Sequence, residues 1–307
     1  MISNKRILIA GGSGMVGREL IKHLTNFGVE VSILSRIVRE SDDNIKSYVW
    51  DPEKGSVDEQ AILDNDILIN LAGANIGAKK WSDERKKEIV ASRTQTTKLL
   101  VDKAKELDKK FENVICASAI GIYGGHFHNK VYNEESPAGN DFLADVVKAW
   151  EKSSNEFKEV SNHLVILRFG VVLDLEGGAL PKMMKPITLG VGSALGTGKQ
   201  YLSWIHIDDL CRMILWCLNK NLEGVYNAVA PNPLSNNQFT KVLAKSLNKP
   251  LLLPNVPSFV LKLMLGKMSA LVLEGQNVSS DKVMETGFDF KFGELHDALN
   301  DLLPSGK

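Results

Sequence analysis

The chain of 307 residues has only three cysteines, Cys116, Cys211 and Cys217, an odd number without paired spacing. That excludes a disulfide framework and a cysteine-based zinc site, and it predicts a reducing, cytoplasmic compartment. Neither sign of charge is in excess, since 37 basic side chains face 37 acidic ones. A net charge of zero gives no long-range field to draw in nucleic acid or an anionic membrane. The short basic clusters at 79–80 and 85–87 read as the solvated face of a helix. Six histidines show no metal-ligand spacing, and no metal site is expected. There is no repeat, no low-complexity tract, no clean linker and no leader pattern of basic, apolar and then small residues. The strongest apolar stretch, VPSFVLKLMLGKMSALVLEG (256–275), is interrupted by Lys262, Gly266 and Lys267. It lacks the ~18 uncharged residues of a membrane span. A buried helix, or two helices broken near Gly266, is the expectation, with a patch for a partner or an elongated substrate as the alternative.

What is present is ordinary globular material, 44% hydrophobic and 24% charged, enough for one large domain or two modest ones. RILIA (6–10) is a continuous apolar run that suits a central parallel strand buried on both faces. Helical spacing of Val16, Leu20, Ile21 and Leu24 follows, then an alternating strand over 29–35. The alternation continues with strands at 47–50, 66–73, 113–119 and 163–173. The helices between them cover 82–107, capped by Ser82, and 141–159. Strand–helix alternation over 170 residues predicts an α/β fold, a doubly wound parallel sheet of the Rossmann kind. Residues 174–204 are rich in glycine and proline and are expected to form a substrate loop. A helix after WIHIDDL, a strand at 225–231, a capped helix at 235–247 and a mostly helical tail complete the prediction. We expect a nucleotide-binding domain over 1–230 and a small helical C-terminal lobe over 231–307.

GGSGMVG (11–17) follows the first strand directly and opens the first helix. Gly11 permits the tight turn, Gly14 lets backbone approach a pyrophosphate, and Gly17 lets helix and strand pack closely. With Ser13, Met15 and Val16 this turn presents backbone N–H groups to phosphates. At the end of the second strand a carboxylate would bond an NAD ribose. This chain has Ser35 and Arg36 there, which suit a 2′-phosphate, so the expected cofactor is NADP(H), with Arg39 assisting. NLAGA (70–74), with Leu71, Ala72 and Gly73, offers small residues for the adenosine half. SAIGIYGG (118–125) closes the next strand with two hydroxyls, Ser118 and Tyr123.

GGSGMVG, LSR, NLAGANI, KKWSDERKKEIVASRTQTTKLL, SAIGIYG, DFLADVVKAWE, LRFGVVL and WIHIDDL, in this order, resemble the extended short-chain dehydrogenase/reductases. The likeness is to their atypical epimerase-family branch, in which an NAD-dependent epimerase/dehydratase-type domain is followed by a small conserved C-terminal domain. It covers nearly the whole chain. It implies NADP contacts at Ser35 and Arg36, at Leu71 and Ala72, at Glu88 and Arg93, and near Val171. The branch is also sometimes labelled a cell-division inhibitor homologue, which no residue here supports.

In active members of the wider superfamily a tyrosine and, four residues later, a lysine carry acid–base catalysis. If Glu151 marks the register, those positions are Leu143 and Val147; shifted by one they are Phe142 and Val146. Both frames are apolar. Two functions follow. One is an NADP(H)-dependent oxidoreductase or epimerase-like enzyme acting on an unidentified small molecule, with Ser118 or Tyr123 as candidate proton donor. The other is an NADP(H)-binding redox sensor or scaffold without turnover, working through a protein partner or a homodimer.

Overall fold

The computed structural model describes residues 4–37, 45–125 and 130–303. Its centre is an eight-stranded sheet built from β1 (Arg6–Ala10), β2 (Glu30–Ser35), β3 (Ile45–Asp51), β4 (Ser56–Val57), β5 (Ile67–Asn70), β6 (Phe111–Ala119), β7 (Ser161–Phe169) and β8 (Gly224–Ala228). The strand order is β8-β7-β6-β5-β1-β2-β3-β4, parallel throughout except for the β3–β4 pair. Order reverses on either side of β1, so a crevice opens at the carboxyl ends of β1 and β5.

The period of two along each strand divides its side chains between two cores. Ile7 and Ile9 of β1 join one core with Leu20 and Leu24 of α1 (Met15–Asn26). Leu8 and Ala10 face the other, where Leu100, Val101 and Ala104 of α3 (Asp83–Glu106) meet Phe111 and Phe157. α2 (Glu59–Leu63) covers that same face near the β3 edge. Burial on both sides explains why the strands read as unbroken apolar runs. Each fully buried Leu or Ile stabilises the fold by roughly 1.5–3 kcal/mol.

Helix boundaries follow their caps. Ser82 accepts from the Arg85 N–H at the start of α3. Asp141 accepts from the Ala144 N–H at the start of α4 (Phe142–Ser154). The helix expected over 141–159 tightens into a 3₁₀ turn at Asn155–Glu159. The expected loop at 174–204 contains α5 (Leu180–Thr188). Glycine and proline content hid it. Pro181 lies in its first turn, where an N–H would lack a helical acceptor, Pro186 removes one interior bond, and Gly190 (φ 78°) follows its end. Val171–Leu173 leaves β7 and pairs in parallel with Trp204–His206, which leads into α6 (Ile207–Asn219).

A third core holds the C-terminal lobe. Phe239 and Leu243 of α7 (Asn236–Ser246) pack there with Leu295 and Leu299, and with Leu180, Ile187 and Trp204. The tail is helical, as expected, with short helices joined by extended segments. In the 256–275 stretch α8 (Ser258–Leu265) stops at Gly266 (φ 60°), as the sequence suggests. It is not buried: Phe259, Leu263 and Met264 are exposed. No helix among the described residues is long and apolar enough to cross a membrane.

Candidate functional site

The glycine turn is a cradle that side chains would fill. A Cβ on Gly11 (φ 87°) would lie 2.8 Å from the Leu71 carbonyl carbon, and one on Gly17 would lie 2.5 Å from the Gly11 carbonyl oxygen. Gly14 is different: its Cβ would meet only the Gly11 oxygen, at 3.2 Å, so its outer face is open. Gly14 is also the N-cap of α1 and brings no side chain to the orphan N–H groups of the first turn. An anion is the natural partner for such an end. Ser13 is exposed beside it, and Met15 and Val16 are half-buried. The Met15 sulfur would be 3.2 Å from a Cβ on Gly177, so the loop after β7 closes directly over the first turn.

The rim of the crevice carries cations. Ser35 is half-buried at the end of β2 and Arg36 is exposed just beyond it; Arg39 lies outside the described residues. After β5 the Leu71 N–H donates to the Ala10 carbonyl, and the Ala72 N–H to Asn70 Oδ1. Gly73 lies under Arg93, whose Cζ would be 3.2 Å from a Cβ there. Arg93 donates to the carbonyls of Ile89 and Ala74 and stacks on Trp150, 4.8 Å from the ring centre. Burial, and then the charge of Arg85, push Arg93 down to about 10, so it remains a cation at neutral pH. No carboxylate among the described residues pairs with it. Glu88 is bound to Arg85 at 2.6 Å, which holds its carboxyl below the ordinary range. Arg85 in turn donates to the Asn75 carbonyl and pins the loop after Gly73. Val171, half-buried, lies just beyond β7 and pairs with Trp204.

α4 lines the side of the crevice next to β6. A Cβ on Gly121 would be 3.5 Å from Leu143 Cβ and 3.8 Å from Val147 Cγ2. Leu143 and Val147 therefore face the turn Ile120–Tyr123. Phe142 meets the Trp81 ring at 5.0 Å, and Val146 clusters with Trp81 and Ile89. Of the two frames read from the sequence, the one with Leu143 and Val147 lies against the end of β6. Ile76, Met268, Ala270 and Leu271 join Phe142, Leu143 and Trp81 in an apolar wall drawn from both ends of the chain.

Ser118 and Tyr123 stand at the end of β6 but are not free. Tyr123 is 1% exposed and donates to Asn227 Oδ1 at 2.7 Å. Arg168 of β7 donates to the Tyr123 oxygen at 3.0 Å and grips Glu151 through two bonds of 2.8 and 2.9 Å. Ser118 donates to the same Glu151 at 2.7 Å. Burial would lower Arg168, but the bonds and charge of Glu151 more than offset it and the guanidinium is held above its ordinary range. Burial raises the Tyr123 phenol. Both hydroxyls are thus engaged in a buried network, Tyr123 with Asn227 and Arg168 and Ser118 with Glu151. Sequence reading missed Arg168, Asn227 and Glu134, whose carboxylate accepts from the Asn227 N–H and whose carbonyl accepts from Arg168. A signal existed: a charged residue in the middle of HLVILRFG, an otherwise buried parallel strand, demands a buried partner.

Glycine turn, switch-point crevice, cationic rim and carboxyl-edge lobe together define a nucleotide-binding fold of the short-chain dehydrogenase/reductase type. Comparison with known proteins narrows this. Residues 7–144 match the NAD dependent epimerase/dehydratase family, and residues 256–302 match a domain of unknown function, DUF1731. An epimerase family protein of Staphylococcus epidermidis is 38% identical over 301 residues, which covers 97% of this chain and 99% of that one. Epimerase family protein YfhF of Bacillus subtilis is 37% identical over 305 residues, 98% and 99% of the two chains. The crystal structure of human epimerase family protein SDR39U1 (isoform 2) with NADPH is 30% identical. It superposes with a TM-score of 0.85 over 97% of this chain and 98% of that one. UDP-glucuronic acid 4-epimerase of Bacillus cereus, solved with UDP-glucuronic acid and NAD, is 18% identical and shares the fold, with a TM-score of 0.76 over 97% of each chain. The chain belongs to the epimerase family, the branch with a C-terminal DUF1731 domain.

Proposed function

We propose that this chain binds NADP(H) in the glycine cradle and works as an oxidoreductase or epimerase-like enzyme on a small molecule held beneath the C-terminal lobe. The observation that carries the cofactor reading is Arg93. It is a largely buried guanidinium with no carboxylate partner among the described residues, lying over Gly73 on the rim of the cradle. A buried cation without a counter-ion is costly, and a bound polyanion supplies one. The open face of Gly14 and the uncapped start of α1 fit the pyrophosphate. Arg36, at the place where an acid would bond a ribose hydroxyl, favours the 2′-phosphate. The human relative solved with NADPH supports the same choice. Bound nicotinamide supplies hydride transfer.

The chain's own residues give that chemistry an unusual setting. In either frame set by Glu151, Leu143 with Val147 or Phe142 with Val146, the positions expected for the tyrosine and the lysine are apolar. A proton taken up during turnover then comes from the substrate or from water, rather than from a tuned phenol. A second reading, binding without turnover, is favoured by the fact that Ser118 and Tyr123 are both already engaged. Two experiments separate these. Calorimetry is expected to show NADPH binding more tightly than NADH, with Arg36→Ala weakening NADPH by roughly 1.5–3 kcal/mol and leaving NADH unchanged. Equal affinity for both in the unaltered protein sinks the NADP(H) assignment. NADPH oxidation is then followed with aldehydes, ketones and nucleotide sugars. Turnover that survives Tyr123→Phe supports an enzyme of the proposed kind; tight binding with no turnover supports the second reading.

A further inference from the structure

The net charge of zero conceals a segregation. Residues 177–207 contain three lysines and residues 224–273 contain five; neither stretch contains an aspartate, a glutamate or an arginine. All eight lysines are exposed. These stretches also carry most of the stray apolar surface. Of twelve large apolar side chains exposed among the described residues, seven are Leu189, Val191, Leu252, Leu253, Phe259, Leu263 and Met264.

The fold brings the two stretches together. Leu195 bridges Val256, the Gly196 N–H donates to the Val256 carbonyl, and Ser193 Oγ donates to the Pro254 carbonyl. Residues 191–196 thus run beside 252–258, and α8 continues from there. Along α8, Phe259 and Leu263 are one turn apart on the outer face, 72% and 84% exposed, with Lys262 between them and Leu261 turned inward. Lys185 of α5 lies four residues before Leu189, which follows the helix, Lys249 precedes Leu252, and Lys267 follows the break at Gly266. The result is an apolar strip edged with lysines.

We infer that this strip is a docking face for an anionic lipid bilayer, held in the headgroup region by Phe259 and Leu263 and by the surrounding ammonium groups. Apolar side chains with lysines beside them are suited to that boundary, where the alkyl stems lie along the apolar layer and the charges reach the headgroups. The charge pattern argues against the other occupants. A second copy would set lysines against lysines across a two-fold axis. A protein partner is less suited to a strip edged by Lys185, Lys249, Lys262 and Lys267 and by no arginine, because protein interfaces favour arginine and deplete lysine. The face is peripheral, since no described helix can span a bilayer.

The test is co-sedimentation of the full chain with vesicles of phosphatidylcholine alone or with about 30% phosphatidylserine. We expect about tenfold more bound protein on the anionic vesicles, lost as salt rises toward ~0.5 M. The double variant Phe259→Ser, Leu263→Ser is expected to abolish binding, and Lys262→Glu with Lys267→Glu to reduce it to the level on neutral vesicles. Thermal unfolding by circular dichroism checks that both variants fold. Equal partition onto both vesicle types, absence from both, or binding unchanged in the variants overturns the inference. So does a stable dimer that the double variant converts to monomer, which would mark the strip as an interface between copies, or capture of an acidic polypeptide without any vesicle binding.

Discussion

In β1 no large side chain after Arg6 is exposed; Ile7, Leu8, Ile9 and Ala10 divide themselves between two cores with nothing left over. In α8, residues of the same type stand in water, and only Leu261 is buried. The two segments are comparably apolar in sequence and opposite in circumstance. A central strand finds partners on both faces within its own chain, so its hydrophobicity is consumed in folding. A short helix on the rim of a lobe finds a partner on one face, so part of its hydrophobicity remains for something outside the chain. Apolar content alone does not separate these cases; the number of neighbouring elements does.

That contrast can be broken or sharpened by measurement. The largest effect is expected from Glu151→Leu, which strands Arg168 as a buried cation among apolar strands and costs roughly 3–5 kcal/mol in urea unfolding. A cost below about 1 kcal/mol would mean that solvent reaches the pair. Leu8→Ala removes a fully buried side chain and should cost about 2–5 kcal/mol. Gly17→Ala places a methyl 2.5 Å from the Gly11 oxygen, and backbone must move. About 1–3 kcal/mol of stability is expected to go, with cofactor affinity falling by more than stability alone explains.

His206 gives a smaller, pH-dependent effect. Its ring is buried and stacked on Phe292, 4.0 Å between centres, and it accepts the Asp208 N–H that opens α6. Burial lowers its pKa below the ordinary value, against the pull of Asp301, Asp209 and Asp208 and with the push of Lys291. The unfolded chain takes up this proton near pH 6.5 and the folded chain resists it, so the contribution is complete above that pH and is lost as pH falls through it. His206→Asn keeps an acceptor at the helix start and should flatten the stability profile below about pH 6.5. The smallest effect closes the comparison: Leu263→Ala, the same substitution as at Leu8, should change stability by less than about 0.5 kcal/mol. If it matched Leu8→Ala, α8 would be packed in solution and the contrast would fail.

Much of this was legible beforehand because it rests on local rules. Glycines at 11, 14 and 17 between strand and helix, caps at Ser82 and Ser235, and apolar runs ending at the crevice all report neighbours close in sequence. What escaped depends on residues far apart. Tyr123 meets Asn227 and Arg168 meets Glu151 only once β6, α4, β7 and β8 are assembled, so a hydroxyl at a strand end looked free when it was taken. α5 escaped for another reason: two prolines and the nearby glycines suppress helix expectation, while packing of Leu180 and Ile187 on α7 supplies what local preference withholds. The lysine-only stretches were readable, but a total of zero averaged them away.

The Glu151–Arg168 clasp bears on whether α4 can accept a tyrosine and a lysine in place of Leu143 and Val147. A tyrosine at position 143 would face Gly121 and the end of β6. A lysine at 147 would stand one helical turn before Glu151 and compete for the carboxylate that Arg168 and Ser118 now share. Leu143→Tyr with Val147→Lys is therefore expected to loosen the hold of Glu151 on Arg168 and to lower stability.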